Sequence, residues 1–543
     1  MSQLLELTDD DLKGLGPEAV TALAQQMLQR LREQELHIAQ RDQALKLKDA
    51  KIEKITFELA RLKRWKFGAS AEAMSAEQRR LFEETCAEDE ADLQEQLRQL
   101  QGEGKADTDT QNKSKRKPRR EKLPDHLRRV EHRHEPAQTT CPTPGCGSAM
   151  QRVGEDVSER LDVVPAEFFV HRHIYGKWAC RCCQRKGVDR LVQEPVEPSI
   201  IDGGIPASGL VAHTLISRFV DHLPYYRQEA INARSGVHTP RSTLAQWSGQ
   251  AGAALHPLFE AHRRFVLECA HLHVDETPVS MLDPGAGKTR RAYVWGYARG
   301  AFDPTPGVVY DFCLGRGAQY PLAFLGGCDE RPPWTGTLTR DEYAVYDSVV
   351  RAVPGRIAAG CLAHARRKYD QLLRDGGKSA VAAEAIARIA AIYRLERELA
   401  TLGAQERHAE RQSRARRLWD QLHEWLILER RRVPDGSATA RALDYSLNSW
   451  SALVRNLEDG NVNVDNNSLE NLMRPWAMGR RAWLFAGSEL AGKRAAVVMS
   501  LVHSARLNGH DPYAYLRDVL ERLPTHLNSR IDELLPHRWQ PAA

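Results

Sequence analysis

The stretch His271-Leu272-His273-Val274-Asp275-Glu276-Thr277-Pro278 decides the reading of this chain, because an apolar run from Val266 to Val274 ends on an acid. Strand ends that carry polar groups are where α/β sheets hold ligands. A second acid has a similar setting. Thr335 to Thr339 reads as a strand and leads into Arg340-Asp341-Glu342-Tyr343-Ala344-Val345-Tyr346-Asp347. The third lies far downstream, where Asp465-Asn466-Asn467 precedes Glu470 and Arg474-Pro475 at an expected helix start. Asp275, Asp341 and Glu470 thus make a candidate three-carboxylate metal site. Two Mg2+ (or Mn2+) ions about 4 Å apart serve an in-line phosphodiester displacement, and such ions take hard oxygen ligands. Each acid also has a plainer reading. Asp275 would cap the Thr277-Pro278 turn, Asp341 would be one surface acid beside Glu342 and Asp347, and Glu470 would close a capping box with Asn467.

Outward from these acids the pattern is that of an α/β core with a mixed sheet. Arg291 to Arg299 alternates, with Tyr293, Trp295 and Tyr297 on one face and Ala292, Val294 and Ala298 on the other. Asp303-Pro304-Thr305-Pro306-Gly307 reads as a turn and Val308 to Leu314 as its hairpin partner. Ile357 to Cys361 predicts a short strand before a helix with His364, Arg366, Arg367 and Lys368. Helices over 378–458 interrupt this core, which resumes at Glu470 and runs into helices to about residue 523. Arg474 lies four residues after Glu470 and would share its helix face. A guanidinium forks onto phosphate oxygens, so Arg474, with Arg480 and Arg481 close behind, is a candidate grip on a nucleic-acid backbone. The alternative is a plain Glu470–Arg474 pair worth about 0.2–0.5 kcal/mol.

The front half reads as separate modules. Leu31, Ile38, Leu45, Ile52 and Leu59 recur every seven residues within a helix predicted over 17–66, with Ile55 and Leu62 on a weaker companion seam. That fits a dimerising zipper, or else a helix packed on its own domain. Residues 83–125 read as a charged linker, with Glu83, Glu84, Glu88, Asp89, Glu90 and Asp92 followed by a basic run over 113–122. Lys115, Arg116, Lys117, Arg119 and Arg120 in that run would meet phosphates without sequence preference, or simply form a solvated tether. Cys141-x4-Cys146 and Cys180-x2-Cys183 have the pairing of a structural tetrathiolate zinc site, with Cys182 as a rival fourth ligand and two unrelated buried pairs as the alternative. A helix ending near Ser235-Gly236 and a second beginning at Thr239-Pro240-Arg241-Ser242-Thr243 have a helix-turn-helix layout. Arg241, Ser242 and Thr243 are then candidates for DNA contact, although ordinary helical hairpins share the pattern.

The bulk numbers agree with a multidomain protein. A chain of 543 residues exceeds a single core, and 42% hydrophobic content without a long apolar run predicts no membrane span. The start Met1-Ser2-Gln3-Leu4-Leu5-Glu6 lacks a signal-peptide layout, and ten cysteines are too few for a disulfide scaffold, so a reducing cytoplasm is expected. The net charge of +5 is small, and the positive charge is clustered rather than spread.

At these residues the chain resembles the insertion-sequence 66 family of bacterial transposases. The resemblance runs in order from Leu59-Ala60-Arg61-Leu62-Lys63-Arg64-Trp65-Lys66-Phe67-Gly68, through the cysteines, Asp221-His222-Leu223-Pro224-Tyr225-Tyr226-Arg227-Gln228 and Asp275-Glu276-Thr277, to Leu507-Asn508-Gly509-His510-Asp511-Pro512-Tyr513. It departs at Glu342, where the family usually has Gly. The resemblance implies a ribonuclease-H-like α/β core with Asp275, Asp341 and Glu470 as a DDE triad. It also implies double-stranded DNA as partner, namely element ends and target, and a nucleoid-associated setting. A homodimer or higher oligomer would form through the N-terminal helix, with accessory proteins of the same element. The expected layout is a helical zipper region over 1–82, the linker over 83–125, a zinc-binding domain over 126–195 and a helical DNA-binding region over 196–262. The catalytic core then covers 263–375 and 461–500, split by a helical insertion over 376–460, and a helical C-terminal region covers 501–543. The expected activity is Mg2+-dependent strand cleavage and transfer, the alternative being an inactive or repurposed DNA-binding derivative.

Overall fold

The computed structural model describes residues 48–59, 76–101, 127–141, 146–164, 167–180, 191–201, 203–283, 288–327, 331–374, 379–483 and 486–541, with a few isolated positions before 126. Two compact units separate, one within 1–64 and 93–111 and the other within 65–92 and 112–543. In the first, residues 48–59 are helical, and Ile55 and Leu59 are buried while Leu45 is exposed. Leu31 and Ile38 of the predicted zipper lie outside the described residues.

Helix α1 (Ala76–Gln101) corrects the linker reading of its acidic half. Glu88, Asp89 and Asp92 are buried, and all three meet the fully buried Arg494 guanidinium at 2.6, 3.1 and 2.9 Å. An acidic run is uncompensated only when judged alone, and here the compensating charge comes from the far end of the chain. The basic run 113–122 lies outside the described residues.

The second unit begins with a small sheet in the order β1-β3-β2, from strands β1 (Arg128–His134), β2 (Gln151–Val164) and β3 (Glu167–Ala179), with β4 (Leu191–Gln193) also on β3. Helices α2 (Ser208–Phe219), α3 (Tyr225–Arg234), α4 (Arg241–Ala254) and α5 (His256–Val266) follow. The predicted turn between α3 and α4 is present. Gly236 takes a positive φ of 75°, which glycine adopts without strain, and Asn232 Nδ2 donates to Thr239 Oγ1 across the turn at 2.7 Å.

The central sheet has the order β7-β6-β5-β8-β9. Its strands are β5 (His271–Asp283), β6 (Lys288–Arg299), β7 (Val308–Cys313), β8 (Gly336–Thr339) and β9 (Arg356–Ala359). The first three pair antiparallel as a meander, and β8 and β9 add in parallel on the other side of β5. Asp275 therefore lies inside β5, not at its end, because β5 runs on past β8 as a long arm paired with β6 and, at Met281, bridged to Ala486. Helices α6 (Leu362–Arg374), α7 (Ala380–Leu399), α8 (Arg416–Arg432) and α9 (Ala438–Asn448) pack as one insertion, which takes in the His364 helix expected to belong to the core and so starts ahead of the expected 376. It has its own core around Tyr369, Ile392, Trp419 and Leu443. The chain then returns to the sheet with α10 (Asn467–Trp483), α11 (Glu489–Leu507) and α12 (Pro512–Arg522). No helix among the described residues is long and apolar enough to cross a membrane.

The open edge of β7 is closed by α11. Ser504 Oγ accepts the Val308 N–H at 3.0 Å, and Ser500 Oγ accepts the Tyr310 N–H at 2.9 Å. Four helical residues rise about 6 Å and two strand residues about 6.6 Å, so serines at i and i+4 match alternate amides of an edge strand. This satisfies donors that would otherwise be orphaned in a buried place. Ser504→Ala should therefore destabilise the protein by about 1–3 kcal/mol, read by denaturant unfolding, because it leaves the Val308 amide unpaired. A change within a few tenths of a kcal/mol would mean that another acceptor takes over.

Candidate active site

The three acids reach one region by different routes. β5 and β8 pair in register as His271↔Thr337 and His273↔Thr339, where β8 ends, and Asp341 follows two residues later, near enough for its charge to act on Asp275. On its other side Asp275 pairs with Gly296 of β6. A Cβ built on Gly296 would lie 2.6 Å from Met473 Sδ and 3.1 Å from Leu469 Cδ1. The missing side chain thus lets Leu469 and Met473 of α10 sit directly on the sheet, and Glu470, next to Leu469, is near enough for its charge to act on Asp275.

The start of α10 is held by Asn466, which is fully buried. Its N–H donates to Cys361 Sγ at 3.2 Å, its Nδ2 donates to Val274 O at 2.9 Å, and its Oδ1 faces His273 Nδ1 at 2.7 Å. Asp465 Oδ1 accepts the Asn467 N–H at 3.1 Å, and Tyr393 donates to Asp465 Oδ2 at 2.8 Å. Glu470 makes no capping box with Asn467. Its Oε2 accepts from Arg367 at 3.0 Å, and its Oε1 lies 3.4 Å from His364 Nδ1. Those last two atoms are buried without a hydrogen-bond partner. Cys361, His364 and Glu470 offer ligand atoms that all lie within 4.8 Å of one another. Asp341 Oδ1 accepts the Tyr343 N–H at 2.9 Å. Glu276 turns away from Asp275 and is held by Arg316 and the Tyr346 hydroxyl.

Arg474 is exposed and makes no ion pair among the described residues, so neither the predicted pair with Glu470 nor its orientation by Arg474 is made here. Arg367, from α6, meets the acid instead. Sequence spacing could not find it, since the partner lies 103 positions away. The signal available was Cys361-x2-His364 at a helix start. The side chains of Arg480 and Arg481 lie outside the described residues.

Burial pushes the Asp275 carboxyl from 3.8 up to about 8, and repulsion from Glu276, Glu470 and Asp341 adds to it. Burial holds His364 below its ordinary value, against the pull of Glu470. These acids disfavour one another's charge, but among the described residues the ligand atoms of Asp275, Asp341 and Glu470 do not all lie within 4.8 Å of one another; Glu470 is grouped with Cys361 and His364 instead.

Farther forward, Cys141, Cys146 and Cys180 also have ligand atoms all within 4.8 Å. Cys146 Sγ and Cys180 Sγ are 3.8 Å apart, close to the edge of about 3.8 Å expected of a tetrahedron with Zn–S near 2.3 Å. Cys182 and Cys183 lie outside the described residues. At the start of α4, Ser242 is exposed and Arg241 and Thr243 are half-buried, while Leu244, Ala245 and Trp247 face the core.

The sign of the Asp275 effect gives a test. The folded chain keeps a proton there that the unfolded chain releases near 3.8, so this group makes stability fall as pH rises from about 4 to about 8. In magnesium-free buffer Asp275→Asn should raise the thermal midpoint, and by more at about pH 8 than at about pH 6. An equal gain at both values would show that the carboxyl does not oppose its neighbours.

Comparison with known proteins joins these observations. Residues 203–494 match the Transposase IS66 family, and 500–537 match the IS66 C-terminal element. Residues 138–184 match the zinc-finger binding domain of transposase IS66, and 54–131 match the Transposase C of IS166 homeodomain. Two relatives come from Sinorhizobium fredii. The uncharacterized protein y4jD is 35% identical over 77% of this chain and 81% of its own length, and the uncharacterized protein y4qI is 37% identical over 80% of each. With more than half its length under one family model and these relatives matched along most of theirs, the chain belongs to the IS66 family of transposases.

Proposed function

We propose that this chain is a DDE transposase that binds insertion-sequence ends and cuts and joins DNA with Asp275, Asp341 and Glu470. The observation that carries the reading is that the buried Asp275, paired with Gly296 beneath Leu469 and Met473 of α10, feels the charges of both Glu470 and Asp341. The strand order, with an antiparallel meander followed by two parallel strands, supports a ribonuclease-H-like core. Two Mg2+ or Mn2+ ions, when bound, would supply activation of the attacking oxygen and charge neutralisation at the leaving oxygen.

The chain's own residues set up that chemistry. Asp275 holds a proton near neutrality and has to release it for the site to accept cations. Arg367 fixes one oxygen of Glu470 and leaves the other turned inward beside His364. Asn466 keeps the start of α10 tied to β5. Arg474, exposed one turn after Glu470, would meet a phosphate. In front of the core, Cys141, Cys146 and Cys180, with Cys183, would hold one structural Zn2+. Arg241, Ser242 and Thr243 would read the element end, and the basic run 113–122 would add contacts without sequence preference.

Asp275→Asn, Asp341→Asn and Glu470→Gln should each abolish Mg2+-dependent cleavage and strand transfer on DNA carrying an element end, with DNA binding retained. Wild-type cleavage by any of the three would remove that acid from the triad. A parent protein that binds ends but never cuts them would be a DNA-binding derivative. Metal analysis of the purified chain should find one zinc, lost on Cys146→Ser; freely reactive thiols in the folded, metal-free protein would refute the zinc site.

A further inference from the structure

The insertion carries a groove of about 860 Å³ between α6 and α7. Its walls include Arg366, Arg367, Arg374, Arg394 and Arg397, and Asp370 is the one acid among its lining residues. Ala363 and Ala390 also line it, and such small side chains keep its floor low. The groove reaches Asn467, at the first turn of the helix that carries Glu470.

A solvated helix face ordinarily mixes arginines with acids at helical spacing. Elsewhere on this insertion several arginines are so paired, although Arg417 and Arg431 on α8 are exposed and make no ion pair among the described residues. Arg388 meets Glu384 at 2.8 Å, and Arg414 meets Glu398 at 2.6 Å and Glu410 at 3.3 Å. What sets the groove apart is that five arginines share one lining with a single acid. Arg366 lies 3.9 Å from Asp370 and Arg367 is engaged with Glu470, but Arg374, Arg394 and Arg397 are exposed and make no ion pair among the described residues. Arg366 and Arg374 are two turns apart, about 12 Å along the wall, a span that faces several phosphates of one strand. Guanidinium groups give forked bonds to such oxygens, and they stay charged at any working pH.

We infer that this groove holds the sugar–phosphate backbone of the DNA strand that passes the acids, with Arg374, Arg394 and Arg397 as phosphate contacts and Arg366 at their side. The inference rests on the transposase reading for the identity of the strand. It assigns to the insertion a grip on DNA that is separate from the zinc-binding and helix-turn-helix modules.

The test uses the full chain, without divalent ions, and a fluorescent DNA duplex and oligothymidylate of equal length, with Kd measured by anisotropy over a range of salt. Arg394→Ala/Arg397→Ala should lower the slope of log K against log salt by about 1.4–1.8, since each lost phosphate contact removes about 0.7–0.9. Arg394→Lys/Arg397→Lys should restore most of the slope, which separates lost charge from lost folding. Arg417→Ala/Arg431→Ala removes the same charge from exposed positions on α8, outside the groove, and should leave the slope near that of the parent. An unchanged slope in the groove variant, or an equal fall in the α8 variant, would overturn the groove while leaving the transposase reading intact. A parent chain that binds neither DNA would overturn both.

Discussion

The amide of Asn466 is the point on which the arrangement of this core depends. One buried residue joins the strand that carries Asp275, the junction that leads into the His364 helix and the first turn of the Glu470 helix. Cys361 and Asn466 are 105 positions apart, yet they are bonded neighbours. The entropy of closing a loop grows only slowly with its length, so a long insertion is tolerated once its ends are fixed. Leu362 N–H donating to Val464 O at 3.1 Å and Gly360 N–H to Ala452 O at 2.8 Å complete that closure. With a core of its own and clamped ends, the insertion hangs from the sheet and reaches the acids through Arg367 and His364 on Glu470 and Tyr393 on Asp465.

A second constraint is electrostatic. Arg494 is buried among Glu88, Asp89 and Asp92, so three negative charges meet one cation, and Arg218 lies 3.9 Å from Glu88. Burial pushes Asp89 up to about 6 even so. Removing Arg494 would leave uncompensated buried carboxylates, the costly way to break such a cluster. Composition alone cannot show this. The acidic stretch of α1 has the low hydrophobicity and high charge of a linker, and its partner is about 400 positions away.

Much of the sheet was legible because its strands carry apolar, alternating residues bounded by turn residues, as at Tyr293–Tyr297 and Asp303–Gly307. The acids were legible as isolated carboxylates beside such runs. What stayed hidden was whatever depends on a third element. Asp275 looked terminal because the apolar run stops there, but β6 extends the pairing to Asp283. Arg474 looked like the partner of Glu470 because local spacing allows it, whereas α6 brings Arg367 closer. Gly296 carried no signal at all. Its role appears only when Met473 and Leu469 fill the space above it.

These features set a charge gradient across the second unit. The acid cluster has few cations of its own: Arg367 for Glu470 and Arg316 for Glu276. Beside it lies a groove whose arginines outnumber its acids. A polyanion laid over the acids alone would be repelled, and metal ions laid in the groove would be repelled as well. Each part therefore favours a different ligand, phosphates on the insertion and cations over the sheet. Glu470 lies where the two meet, with one oxygen on Arg367 from the basic wall and the other beside His364. That junction explains why α10 needs rigid seating. A small shift of its first turn would move the carboxylate from one field into the other.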